Sequence, residues 1–222
     1  MDNVRIIEIK ESVFADNDRE ADRVRAGLKK EKTFLLNLMS SPGSGKTTTL
    51  LRTIEKLKDE LRIGVMEADI DSSVDAETIA RAGVKSIQLH TGGMCHLDAG
   101  MTEQGLCELG TADVDLAILE NVGNLVCPAE FDLGEAHKVA LISVTEGDDK
   151  PLKYPDMFAA ADLVIINKTD LAPYVRFDLD RCETYARRIN PRVTVLRLSA
   201  VTGVGLDAWC RWLQAQLAAA AL

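Results

Sequence analysis

The run Ser40-Ser41-Pro42-Gly43-Ser44-Gly45-Lys46-Thr47 constrains this chain more than any other stretch. It follows the apolar segment Thr33-Phe34-Leu35-Leu36-Asn37-Leu38-Met39 and precedes a helical pattern from Thr48 to Glu60. A glycine-rich turn between a strand and a helix points successive backbone N–H groups inward, where phosphate oxygens can sit. Gly43, Ser44, Gly45 and Thr48 are the expected phosphate cradle. Lys46 is placed to reach the β- and γ-phosphates, and the Thr47 hydroxyl to hold Mg²⁺. Ser40 stands where this motif commonly opens with glycine, so serine must tolerate a conformation that glycine enters freely.

Strand-like apolar runs alternate with helical patterns after this turn. The runs are 33–39, 63–67, 85–89, 115–120, 138–145, 162–167 and 193–199, and helices fit 46–60, 75–82, 178–190 and 206–221. Near-continuous runs such as Leu163-Val164-Ile165-Ile166 suit strands covered on both faces. The expected class is α/β, a mostly parallel β-sheet flanked by helices on both faces. Residues 1–32 are charged and mixed; Asp16 to Lys32 fits an exposed helix with Ala21, Val24 and Leu28 on one stripe. Such a helix is either a solvated appendage or a docking element. The expected organisation is a charged helical appendage over 1–32 and one domain over 33–222.

A net charge of −9 argues against nucleic-acid binding, which rewards clustered Lys and Arg. No apolar run approaches membrane length, and Met1-Asp2-Asn3-Val4-Arg5 has no signal-peptide character, so no membrane partner is expected. Five cysteines, an odd number, fit reduced thiols in the cytoplasm.

Asn167-Lys168-Thr169-Asp170 follows the run that ends at Ile166. In open α/β sheets ligands bind at the carboxyl ends of strands, so this segment should share an edge with the phosphate turn. Asp170 can accept hydrogen bonds from the N1–H and 2-amino group of guanine, donors that adenine lacks. Ser199-Ala200, past the last strand, is placed to support the base with a backbone N–H. GTP and GDP are therefore the expected nucleotides. Asp69 and Glu120, each just past or at a strand end, suit Mg²⁺ or the attacking water, and Gly123 can offer an N–H to a γ-phosphate. Asp71 and Asp75 stand equally well as helix caps.

Cys95-His96 and Cys127 form the second signal. Thiolate and imidazole suit Ni²⁺ or Zn²⁺, whereas Mg²⁺ prefers oxygen. By spacing alone, a buried thiol beside a satisfied histidine fits equally well. Position favours the metal, because Cys127 lies on the segment that follows Glu120 and should sense the γ-phosphate. Cys107, Cys182 and Cys210 are expected to pack in apolar or helical surroundings.

Four segments together resemble the HypB family of nickel-insertion GTPases, which help mature [NiFe]-hydrogenase. They are Ser41 to Thr47, Thr91-Gly92-Gly93-Met94-Cys95-His96-Leu97, Glu120-Asn121-Val122-Gly123-Asn124-Leu125-Val126-Cys127-Pro128 and Asn167 to Asp170. The resemblance covers about residues 33–205 and implies a P-loop NTPase fold. It further implies a homodimer in the GTP state that binds nickel or zinc at its interface; Mg²⁺-dependent GTP hydrolysis is expected to be slow, because no glutamine or arginine stands in an obvious water-orienting or finger position. The implied metal ligands are Cys95, His96 and Cys127; Thr47, Asp69 and Glu120 serve Mg²⁺; Lys46, Asp75 and Glu120 serve hydrolysis. Lys153 matches a basic residue that meets nucleotide across the dimer. Implied partners are hydrogenase maturation proteins and the hydrogenase large subunit. Some family members carry a cysteine-rich or histidine-rich N-terminal nickel motif; here the first cysteine is Cys95 and the first histidine His90, so metal handling is expected to rest on the interface site. Competing classes are a urease-type nickel-insertion GTPase, a P-loop kinase, and a metal-storage module whose nucleotide site is structural.

Overall fold

The computed structural model describes residues 9–69 and 74–220, with side chains described for 14–68 and 78–220. The chain opens with α1 (Ile9–Glu31), β1 (Phe34–Ser40), α2 (Lys46–Leu57), β2 (Ile63–Asp69), α3 (Val74–Arg81) and β3 (Lys85–His90). It continues with α4 (Ala99–Leu109), β4 (Leu116–Gly123), α5 (Cys127–Glu130), β5 (His137–Ser143), α6 (Lys150–Lys153) and α7 (Pro155–Ala160). It closes with β6 (Leu163–Asn167), α8 (Leu179–Ile189), β7 (Thr194–Arg197) and α9 (Leu206–Ala220).

The seven strands form one sheet in the order β3-β2-β4-β1-β5-β6-β7, and every pairing is parallel. Burial explains the order. All seven residues of β1 and all five of β6 are buried, as continuous apolar strands require. The edge strands β3 and β7 are only partly covered. From β1 the chain builds β2 and β3 on one side, returns to β4 and crosses over to β5, β6 and β7 on the other, so the connections diverge about β1 and open a crevice at its carboxyl end.

Side chains alternate between two layers along β1. Leu36 and Leu38 join Leu50 and Ile54 of α2, with Trp209 and Leu213 of α9, on one face. Leu35 joins Val24 and Leu28 of α1, with Leu106 and Leu109 of α4, on the other. The stripe expected on the N-terminal helix is thus packed, not solvated: Ala21, Val24 and Leu28 are all buried. The helix begins at Ile9, earlier than Asp16, and lies against α4. Gly134 shows how close the approach is; at φ +79°, a Cβ there would meet Val24 at 2.6 Å.

Helix α4 has no counterpart among the helices expected from the sequence. Its signals are local: Asp98 caps it by accepting from the Met101 N–H at 2.7 Å, and Gly110 ends it in the left-handed region. Gly100 and Gly105 inside it mask the pattern. Among the described residues no helix is long and apolar enough to cross a membrane.

Because α1 shares the core, Leu28→Ala should lower the free energy of unfolding by about 2–5 kcal/mol, as for buried leucines generally. Urea denaturation followed by circular dichroism measures this; an unchanged midpoint would mean that α1 is undocked in solution.

Candidate nucleotide and metal site

Two loops at the carboxyl edge of β1 are tied together by one buried amide. Asn167, at the end of β6, donates from Nδ2 to the Ser44 carbonyl at 3.0 Å and accepts at Oδ1 from the Ala200 N–H at 3.2 Å. Lys168 donates from Nζ to the Gly43 carbonyl at 2.7 Å and holds φ +59°, an unusual value for a residue with a side chain. Gly45 must be glycine here. Its φ is +99°, and a Cβ would lie 2.6 Å from Asn167 Nδ2. Ser40 needs no such freedom: it closes β1 as extended backbone, outside the positive-φ residues. Its hydroxyl instead accepts from Lys46 Nζ at 2.7 Å.

Beside this turn lies a cavity of about 530 Å³, lined in part by Gly43, Gly45, Lys46, Thr47, Thr48 and Gly123. Two carboxylates face it, Glu120 of β4 and Glu67 of β2, which are register partners in adjacent strands. Lys46 Nζ stands 3.9 Å from Glu120 Oε1, and the Thr47 hydroxyl 3.4 Å from the same oxygen. A hydroxyl and carboxylates around a lysine make a hard-oxygen donor set that fits Mg²⁺ beside phosphate. Glu67 was not among the residues expected from the sequence. A charge at the end of the apolar run Ile63-Gly64-Val65-Met66 was the available signal.

Other expected residues fall as follows. Asp69 closes β2 and Asp75 lies in the first turn of α3, but their side chains are outside the described residues, as is Asp71. Asp170 is half-buried and accepts from the Ser199 hydroxyl at 2.6 Å. The backbone N–H of Ser199 donates to the Val204 carbonyl and that of Ala200 to Asn167. The backbone N–H expected from Ser199-Ala200 is therefore engaged within the protein whichever of the two residues supplies it, and Ser199 bears on Asp170 through its side chain. Lys153 pairs with Asp149 at 2.6 Å and does not line the cavity of its own chain.

The second cluster sits just past β4. Cys95 and Cys127 place their sulfurs 3.0 Å apart, and Cys95 Sγ lies 3.8 Å from His96 Nδ1. Ligand atoms of all three fall within 4.8 Å of one another. The imidazole of His96 stacks on Phe131, with centroids 4.1 Å apart. Asn124 bridges the two segments: it donates to the Cys95 carbonyl at 3.3 Å and accepts from the Val126 N–H at 2.8 Å. The Cys127 thiol is held above its ordinary pKa, first by its hydrogen bond with Cys95 and then by burial. An ion would have to displace that shared proton, so uptake should release protons. Two sulfurs and one imidazole suit a soft or borderline ion and leave a tetrahedral position open.

The remaining cysteines divide. Cys182 and Cys210 are buried as expected, and burial pushes the Cys182 thiol up to about 12. Cys107 is exposed on α4, contrary to the packing expected of it, because its position faces away from the sheet while Leu106 and Leu109 face inward.

A phosphate turn at the switch point of an all-parallel sheet, tied to an Asn-Lys-x-Asp loop, defines a P-loop nucleotide-binding protein. The CobW/HypB/UreG nucleotide-binding domain matches residues 34–197. The hydrogenase maturation factor HypB of Azotobacter vinelandii is 51% identical over 212 residues, spanning 96% of this chain and 70% of that protein. The crystal structure of HypB from Archaeoglobus fulgidus superposes with a TM-score of 0.86 at 42% identity, covering 91% of this chain and 99% of that one. HypB from Helicobacter pylori, solved in complex with nickel, also gives 0.86, at 38% identity over 91% of this chain and 95% of that one. The chain belongs to the HypB family of hydrogenase maturation factors, within the CobW/HypB/UreG group.

Gly45→Ala combines backbone strain of about 1–3 kcal/mol with a clash against Asn167. Nucleotide affinity, read by fluorescence of a labelled GDP, should fall about tenfold or more. Unchanged affinity would show that the turn adopts another conformation when loaded.

Proposed function

We propose that this protein is a GTP-hydrolysing metallochaperone that carries nickel, or zinc in its place, during [NiFe]-hydrogenase maturation. The observation that carries the reading is a juxtaposition. Gly123 lines the phosphate cavity, and four residues later Cys127 meets Cys95 and His96 in a three-donor site. Partners in this reading are a second copy of the chain in the GTP state, hydrogenase maturation proteins and the hydrogenase large subunit, all in the cytoplasm.

Each residue then has a task. The N–H groups of Gly43 to Thr48 and the Lys46 ammonium hold the phosphates; their donors point where charge accumulates as the γ-phosphoryl departs. Mg²⁺, when bound through Thr47 with Asp69 and Glu120, would neutralise charge on the β- and γ-oxygens. Glu120 and Asp75 orient the attacking water, and Lys153 reaches nucleotide across the dimer. Asp170, oriented by Ser199, accepts from the two guanine donors, while Asn167 and Lys168 keep that loop against the phosphate turn. The open fourth position suits a cargo ion that must leave, since structural zinc sites are closed by four protein ligands. If GTP alters metal affinity tenfold, metal alters GTP affinity tenfold, about 1.4 kcal/mol in each direction. Turnover by the isolated chain should be slow, below about one per second, as in GTPases that lack an assisting arginine.

Asp170→Asn should reduce preference for guanine over adenine nucleotides by about 100-fold or more, because the carboxylate acceptor pair is lost. Competition binding with GDP and ADP measures it; retained discrimination would place base recognition elsewhere. Cys95→Ala should remove the nickel and zinc stoichiometry found by equilibrium dialysis while GDP still binds. Unchanged stoichiometry would remove these residues as the metal site.

A further inference from the structure

Behind the metal loop lies a row of buried polar side chains that meets the nucleotide cavity at Asn121, which lines it; its further members Asn37 and Glu135 line neither the cavity nor the metal cluster. Asn37, in the middle of central β1, is fully buried between Leu36 and Leu38. Its Oδ1 accepts from Asn121 Nδ2 at 3.1 Å, and its Nδ2 donates to Glu135 Oε1 at 3.1 Å. Asn121 is the neighbour of Glu120 and accepts at Oδ1 from the Val122 N–H at 2.8 Å. Glu135 accepts at Oε2 from the Leu133 N–H at 2.7 Å. Lys138 lies 3.6 Å from Glu135 and donates to the Phe131 carbonyl at 2.8 Å. Phe131 carries the ring on which His96 stacks.

The far side of this segment is anchored by α1. Asn17, also buried, donates to the Asp132 carbonyl at 2.8 Å and accepts from the Ala99 N–H at 2.9 Å. One amide thus holds the Phe131 loop and the loop after His96 together.

We propose that Asn37 and Glu135 are positioning residues that link the end of β4 to the metal site. A shift of Val122 and Gly123 on nucleotide exchange moves Asn121, Asn37 passes the shift to Glu135, and the Leu133 to Phe131 segment moves under His96. The physical case is that such groups cannot slip independently. A buried donor or acceptor that loses its partner costs about 1–3 kcal/mol, so concerted movement of the row is favoured over slippage of one member by that amount. An apolar side chain at position 37 would fill the same space with no such constraint. This inference rests on the coupled nucleotide and metal sites proposed above.

Coupling along the row is read at its far end, the His96 ring. The chain contains three histidines, His90, His96 and His137. Stacking on Phe131 should shift the His96 ring signals upfield, and loss of that shift in Phe131→Leu assigns them. Proton–carbon NMR of the metal-free protein is recorded with GDP and with a non-hydrolysable GTP analogue, each with Mg²⁺. In the wild type the His96 signals should differ between the two nucleotides. In Asn37→Leu both nucleotides should bind within about threefold of wild type, because no contact to them is lost, while the His96 signals become the same in both states. Glu135→Gln, which keeps its volume but turns one of the two acceptor oxygens into a donor, so that either the Asn37 amide or the Leu133 N–H loses its acceptor, provides the same reading if Asn37→Leu does not fold. A variant that is folded and still shows the wild-type nucleotide-dependent shift overturns the relay and leaves the proposed function standing. A wild type whose His96 signals ignore the nucleotide overturns both.

Discussion

The Asn167 amide holds together the parts on which everything else in this fold depends. It is buried, so each of its polar atoms must find a partner inside the protein. It finds them on two different loops, the Ser44 carbonyl of the phosphate turn and the Ala200 N–H beyond β7. Glycine at position 45 is the consequence, because no side chain fits beneath that amide. The turn, the Asn167 to Asp170 loop and the Ser199 loop are thereby tied together at one edge, where the groups of the nucleotide cavity already hold their places. Preorganisation of this kind reduces what must be ordered when a nucleotide binds.

The end of β4 gives the molecule its second property. The pleat sends successive side chains to opposite faces. Glu120 faces the phosphate cavity beside Lys46, while Asn121 faces the other layer and meets Asn37. Gly123 returns to the cavity, where a Cβ would press on Pro42 at 3.2 Å. Asn124 then reaches Cys95, and Cys127 follows. One short stretch therefore touches both chemistries, hard oxygen donors on one face and sulfur and imidazole donors past its end. The two donor sets do not compete for the same ion, since hard and soft ligands select different metals.

The sheet and the phosphate turn were legible in the sequence because their causes are local. Seven apolar runs became seven strands, and continuous burial explains why β1 and β6 lack alternation. The glycines of the turn carry their own signature. What sequence patterns missed depends on contacts between distant segments. The α1 stripe was visible, but not that α4 and Gly134 cover it. Phe131 beside His96 and Asn17 between Asp132 and Ala99 join residues dozens of positions apart. Glu67 and Asn37 left a faint trace, a polar residue in an apolar run, which only the structure turns into a place in the site. Ser40 was the opposite case: an apparent departure from the motif that the extended backbone accommodates.

A nucleotide-governed metal site must change its metal affinity with nucleotide state. Equilibrium dialysis of nickel and of zinc against the full chain, once with GDP and once with a non-hydrolysable GTP analogue, measures this directly. The dissociation constants should differ by about fivefold or more between the two states, the lower end of ordinary allosteric coupling. Equal constants in both states would contradict this coupling and leave Cys95, His96 and Cys127 as a site that the nucleotide does not govern.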